Sequence, residues 1–249
     1  MKASSVCLNC NNEVITNYCG DCGQKASTHR YSMVHFIEHD LVHGIWHVDK
    51  GILRTIKALF SNPGHSVRGF ILGKRANYFN FVTLLLTVLA VSAIIASYAH
   101  FNIFDLMSPE VKNSMNNFQK FTTKYPKAML LITIPIYSLF SMLWFKKSNF
   151  NYSEHLVLNS YKTAAEMIIS LIFTTITIFY YNKVVLLAIY SITSAVILIY
   201  TVWFYYQFFS KSGYSKFRLI SRSVMVPVSY LLLSVLFGMA YGIAMKLGS

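Results

Sequence analysis

The chain has 249 residues, of which 55% are hydrophobic, 16% aromatic and only 12% charged, about half the roughly 25% charge of soluble domains. Twenty-two Lys and Arg against nine Asp and Glu leave a formal net charge of +13, and the four cysteines all fall before residue 23. This excludes an ordinary soluble enzyme and a disulfide framework running through the chain, and it fits a membrane protein with basic loops.

The N-terminal segment, 1–28, carries Cys7-Leu-Asn-Cys10, eight intervening residues, then Cys19-Gly-Asp-Cys22-Gly23-Gln24. Each CxxC offers two thiolates from one tight turn, and two such turns facing each other close a tetrahedral Cys₄ site for one structural zinc, with Gly20 and Gly23 supplying positive φ. Iron satisfies the same geometry. A redox dithiol pair requires a βαβ context that is missing from the pattern. Neither a basic head nor a small-residue cleavage site opens the chain, so a cleaved signal peptide is not expected.

Residues 29–80 read as helical but interfacial. Val34, Ile37, Leu41, Ile45 and Val48 cluster within about 80° on a helical wheel, while His35, His39, His43 and His47 line the opposite face. Three readings stay open for that histidine stripe: an ordinary polar face, a second divalent metal shared by i, i+4 imidazoles, or a pH-sensing surface. Gly51 to Phe60 forms a second amphipathic piece, with Arg54 and Lys57 opposite Leu53, Ile56 and Leu59, suited to anionic headgroups. Ser61-Asn62-Pro63-Gly64 reads as a helix-breaking turn, and Arg68, Lys74 and Arg75 stand before the first span as a topology anchor or a headgroup site.

From 81 to 249 the chain is a transmembrane helical domain. Apolar windows fitting a hydrocarbon core of about 30 Å run from Phe81 to Phe101, Ala128 to Phe145, between Lys162 and Lys183, Val184 to Ser210 and Ser223 to Met245. Five spans is the reading adopted, and four or six fit the same hydropathy. With five, the N-terminal side holds sixteen Lys and Arg (nine before residue 81, three at 146–163, four at 210–223) and the other side six, which places the N-terminus in the cytoplasm. Glu154 and His155 fall on that same side, where Glu154 either charges the start of a helix or joins a ligand site with His155. Glu166 is the one acid within a span, with Lys162 four residues earlier as a pairing partner.

The combination of the CxxC…CxxCGQ ribbon, TIKALFSNPG (55–64), RGFILGKR (68–75) and NYSEH (151–155) resembles a family of bacterial, Bacteroidetes-type multi-span membrane proteins of unknown function. The resemblance covers the first 80 residues closely and the rest loosely. It implies the class, the ribbon and the topology, and no activity. Where members of that family carry a histidine six residues beyond the Glu-His pair, Tyr161 stands here.

The expected fold is therefore an all-α polytopic membrane protein of about five transmembrane helices, with a small N-terminal Cys₄ zinc ribbon and amphipathic interfacial helices. The expected function is non-enzymatic: an integral protein of the bacterial inner membrane whose cytoplasmic ribbon and interfacial helices dock a membrane-protein partner or a second copy, in contact with anionic lipids. The alternatives are a transporter or lipid-handling protein using Glu166, Glu154, His155, Lys74 and Arg75, and an interfacial metalloenzyme using the histidine stripe. No Walker loop, dinucleotide fingerprint or GxSxG turn is present. Topology explains the positive charge, so no nucleic-acid partner is invoked.

Overall fold

The computed structural model describes residues 5–28, 30–31, 51–76, 78–99 and 126–247. The histidine stripe, with His35, His39, His43 and His47, lies outside the described residues.

The ribbon is a pair of matched knuckles. Strand β1 (Ser5–Val6) pairs antiparallel with β2 (Glu13–Val14), Ser5 opposite Val14 and Val6 opposite Glu13. In the first knuckle the Asn11 amide donates to the Cys7 carbonyl at 2.9 Å and the Cys7 amide to the Asn12 carbonyl at 2.9 Å. The second repeats this twelve residues on, with Gly23 donating to Cys19 at 2.9 Å and Cys19 to Gln24 at 2.8 Å. Both require a left-handed residue at the fourth position after the leading cysteine, and Asn11 (φ 63°) and Gly23 (φ 71°) supply it. Gly20, expected to share that role, has no positive φ.

Helix α1 (Ile52–Ser61) ends at Asn62, and Pro63 occupies the first position of α2 (Pro63–Ile71), where its missing N–H costs nothing. The apolar side of α1 is divided: Leu59 is buried against the protein while Leu53 is exposed. A loop from Leu72 leads to α3 (Phe81–Ala96), capped by Asn80, whose side chain accepts from the Val82 amide. Then follow α4 (Pro126–Trp144), a 3₁₀ turn (Lys146–Ser148), α5 (Tyr152–Phe179), α6 (Lys183–Phe209) and α7 (Lys216–Leu247).

Three helical stretches are long and apolar enough to cross a membrane: 152–179, 183–209 and 216–237. The apolar helices Phe81–Ala96 and Ile132–Trp144 are shorter. Ile172, Phe179, Val184, Ile192, Ile199, Leu232 and Phe237 stay exposed along the long stretches, an apolar surface that only a lipid-like environment accommodates at low cost.

Helix α5 is the centre of the domain, packing on α1, α2, α3, α4 and α6. Its first turn begins at Tyr152, ten residues ahead of the boundary that Lys162 suggests. A capping box explains the start: the Asn151 side chain accepts from the Glu154 amide, and Glu154 accepts from the Asn151 amide. Residues 153–165 are then all buried.

The beginnings of α3, α5 and α7 and the ends of α4 and α6 meet in an aromatic core at the ribbon's end of the molecule. Phe145 stacks on Phe209 with ring centroids 3.8 Å apart, Phe70 meets Tyr161 edge-on at 5.2 Å, and the Arg222 guanidinium donates to the Trp144 carbonyl. Gly64 lets α2 reach α6, since a Cβ there would lie 2.3 Å from the Phe208 nitrogen. Its amide donates to Gln207 Oε1 at 3.1 Å.

Candidate metal centre and its junction with the helices

The two knuckles bring Cys7, Cys10, Cys19 and Cys22 together, all four sulfurs within 4.8 Å of one another. Across the knuckles Cys7 Sγ lies 3.6 Å from Cys22 Sγ, and Cys10 Sγ 3.4 Å from Cys19 Sγ. Four thiolates about 2.3 Å from a central ion in a tetrahedron lie about 3.8 Å apart, so the donor set fits one metal ion with no open position. The amide of Cys10 holds the Cys7 thiol down to about 7, helped by that of Asn9 and opposed by burial.

Gln24, directly after the second knuckle, ties this centre to the helices. It is buried, its Nε2 donates to the Gly73 carbonyl at 2.8 Å, and its Oε1 accepts from the amides of Arg75 and Ala76 at 3.0 and 3.1 Å. The side-chain amide thus uses donor and acceptor together on one loop, as a neighbouring backbone would. On the ribbon's other knuckle, Leu8 sits where a side chain on residue 73 would project: a Cβ on Gly73 (φ +112°) would lie 2.7 Å from Leu8 Cδ1. The glycine of the GKR motif is therefore required twice, by conformation and by contact.

The other sequence-derived candidates separate into different environments. The Arg75 guanidinium lies 3.9 Å from the centroid of the Tyr31 ring and donates to the Phe70 carbonyl, while Lys74 is exposed. Arg68 donates from Nη1 to the Phe208 carbonyl at 3.2 Å and lies over the Phe150 ring, and burial lowers its pKa. Glu154 is buried and accepts from Arg30 at 2.6 and 2.8 Å, a contact that raises the pKa of Arg30. His155 points elsewhere: its Nδ1 is 2.8 Å from Ser141 Oγ, and its Nε2 is buried without a hydrogen-bond partner. Glu154 and His155 therefore do not form a joint ligand pair.

Glu166 is paired within α5 and across to α6. Lys162 Nζ donates to both of its carboxylate oxygens at 2.8 Å, Thr201 donates to Oε1 at 2.5 Å, and the ammonium lies 3.9 Å from the Tyr137 ring centroid. Tyr161 donates its hydroxyl to the Phe79 carbonyl at 2.6 Å and so joins α5 to the entry of α3.

Sequence reasoning missed Arg30 and the anchoring role of Gln24. Only the position of Gln24, next to the CxxCG knuckle, signals its role, whereas Arg30 meets Glu154 across 124 residues.

Among the comparisons, the model of a family described as protein of unknown function (DUF3667) matches residues 49–93. That stretch spans α1, α2, the loop held by Gln24 and most of α3, and it stops short of the ribbon and of the long apolar helices. No curated protein and no solved structure matches the chain. The similarity to that family thus falls on the platform that receives the ribbon.

Proposed function

We propose that the protein is a non-enzymatic docking component of the bacterial inner membrane, with five spans, a cytoplasmic N-terminus and one structural zinc. Its ribbon is a rigid platform held on the cytoplasmic face, and it recruits a membrane-protein partner or a second copy. The observation that carries this reading is the clamp of Gln24 on residues 73–76, which orients the ribbon relative to the helices. That arrangement leaves Val6, Ile15 and Tyr18 exposed at 65%, 77% and 58%. Apolar and aromatic side chains held outward on a metal-clamped scaffold are the usual anchors of a docking surface. Zinc is favoured over iron because a closed Cys₄ knuckle pair is a common structural zinc arrangement.

The test is site-specific photo-crosslinking in native membranes from Ile15 and Tyr18, with Leu53 on α1 as reference. A discrete adduct from the two ribbon positions is expected, its mass distinguishing a second copy from another protein. The adduct should disappear when Cys19 and Cys22 are replaced by Ser. If the ribbon positions give no adduct in membranes where the protein is metal-loaded, the docking reading fails.

A further inference from the structure

A cavity of about 370 Å³ opens where the ribbon, α2 and the start of α5 meet, and its walls include Leu8, Arg30, Arg68, Leu72, Ser148 and Glu154. Its size lies at the lower end of the roughly 300–1,000 Å³ of small-molecule sites.

Charge decides what such a cavity accepts. Glu154 is its one carboxylate, already engaged by two nitrogens of Arg30 and by the Asn151 amide. Arg68 is different. Half-buried, it pairs with no carboxylate among the described residues, and its side chain's hydrogen bond there is from Nη1 to the Phe208 carbonyl. The ring faces of Phe150 and Phe208, 5.0 and 6.0 Å from its central carbon, fix the guanidinium without neutralising it. Burial disfavours its charge, so an anion in the cavity would recover what desolvation costs. Ser148 adds a hydroxyl whose oxygen is shielded and has no hydrogen-bond partner. A metal cation would meet two guanidinium groups here, and a purely apolar ligand would leave the charge of Arg68 and the Ser148 hydroxyl unmet.

We propose that this cavity binds a phosphoryl group, with Arg68 as the direct donor, Ser148 in the wall and Arg30 at the rim, shared between Glu154 and the ligand. A guanidinium fork matches two phosphoryl oxygens in one plane. Arg30 is suited to the rim because its side chain stays 60% exposed while Glu154 holds it. The phosphoryl group belongs either to a lipid headgroup or to a small soluble phosphate, and the ligand probes separate the two.

The experiment is calorimetric titration of the full-length, delipidated, metal-loaded protein in detergent. The two probes are inorganic phosphate and dihexanoyl phosphatidylglycerol below its micellar concentration. Two variants accompany the wild type. Arg68→Gln removes the main donor, but it also removes the bond to the end of α6 and so risks the fold. Ser148→Glu sits on the 3₁₀ turn, breaks no side-chain hydrogen bond of Ser148 and places an anion at the cavity wall. The wild type is expected to bind at least one probe, and Ser148→Glu to weaken that binding by about tenfold or more with metal content and melting midpoint unchanged. Binding of the lipid probe alone identifies a headgroup site, and binding of inorganic phosphate identifies a soluble ligand. Failure of the wild type to bind either probe overturns the proposal, as does undiminished binding by Ser148→Glu. Neither result bears on the crosslinks from Ile15 and Tyr18, so the cavity and the docking surface stand or fall separately.

Discussion

Two uncharged residues, Gln24 and Gly64, carry much of the tertiary specificity at the ribbon's end of the molecule. Gln24→Ala removes three hydrogen bonds and leaves the Gly73 carbonyl and two amides to find water at a covered junction, at about 1–3 kcal/mol for each that stays unsatisfied. The ribbon's own fold does not depend on these bonds. The expected outcome is full metal content with faster amide exchange over residues 72–76, read by hydrogen exchange and metal analysis; unchanged exchange there would refute the clamp. Gly64→Ala tests the second contact. A methyl group 2.3 Å from the Phe208 nitrogen must push α2 away from α6, and overpacking of this kind typically costs about 1–3 kcal/mol. A lower midpoint of thermal unfolding is expected, in contrast to a negligible change for Gly20→Ala, where a Cβ meets nothing within 4 Å.

At the scale of elements, α5 combines two tasks that sequence hydropathy treats as opposites: it is a candidate span, and its residues 153–165 are all buried. Lys162 is fully buried, and its charge is tolerated because Glu166 lies one turn along the same helix and Tyr137 supplies a ring face. Removing one partner of such a pair strands the other, at about 3–5 kcal/mol, whereas replacing both by apolar residues is often neutral. Glu166→Leu is therefore expected to destabilise the protein strongly, and Lys162→Met with Glu166→Leu to recover most of the loss in thermal unfolding. If the double variant is as unstable as the single one, the acid has a role that the pair does not explain. The capping box at Asn151 and Glu154 explains in the same way why α5 starts at Tyr152: local hydrogen bonds satisfy the first amides before any apolar residue is reached.

For the whole molecule, the proposed topology rests on hydropathy and on the partition of basic residues along the sequence. Helices α3, α5 and α7 begin at the ribbon's end and α4 and α6 finish there, and three of the five stretches are long and apolar enough to cross a membrane, so the count of five spans remains a proposal. On the proposed five-span reading the Lys and Arg residues of the sequence divide sixteen to six in favour of the N-terminal side. Reporter fusions after Lys120 and at the C-terminus are expected to read as exported, and a fusion after Lys216 as cytoplasmic. A cytoplasmic C-terminus would remove the odd span count.

The sequence by itself determined what depends on local spacing and composition. Paired CxxC motifs can close only as facing knuckles, long uncharged runs of Phe, Leu, Ile and Val have few low-energy fates outside a membrane, and Asn62-Pro63 must interrupt a helix. The i, i+4 spacing of Lys162 and Glu166 was legible for the same reason, since neighbours on one helix are set by its pitch. Tertiary structure alone decided which distant groups meet. Gln24 finds Gly73, Arg30 finds Glu154, and Tyr161 finds Phe79, across 49, 124 and 82 residues. It also separated Glu154 from His155, adjacent in sequence, because consecutive residues on a helix point about 100° apart and the surrounding helices cover the two directions differently.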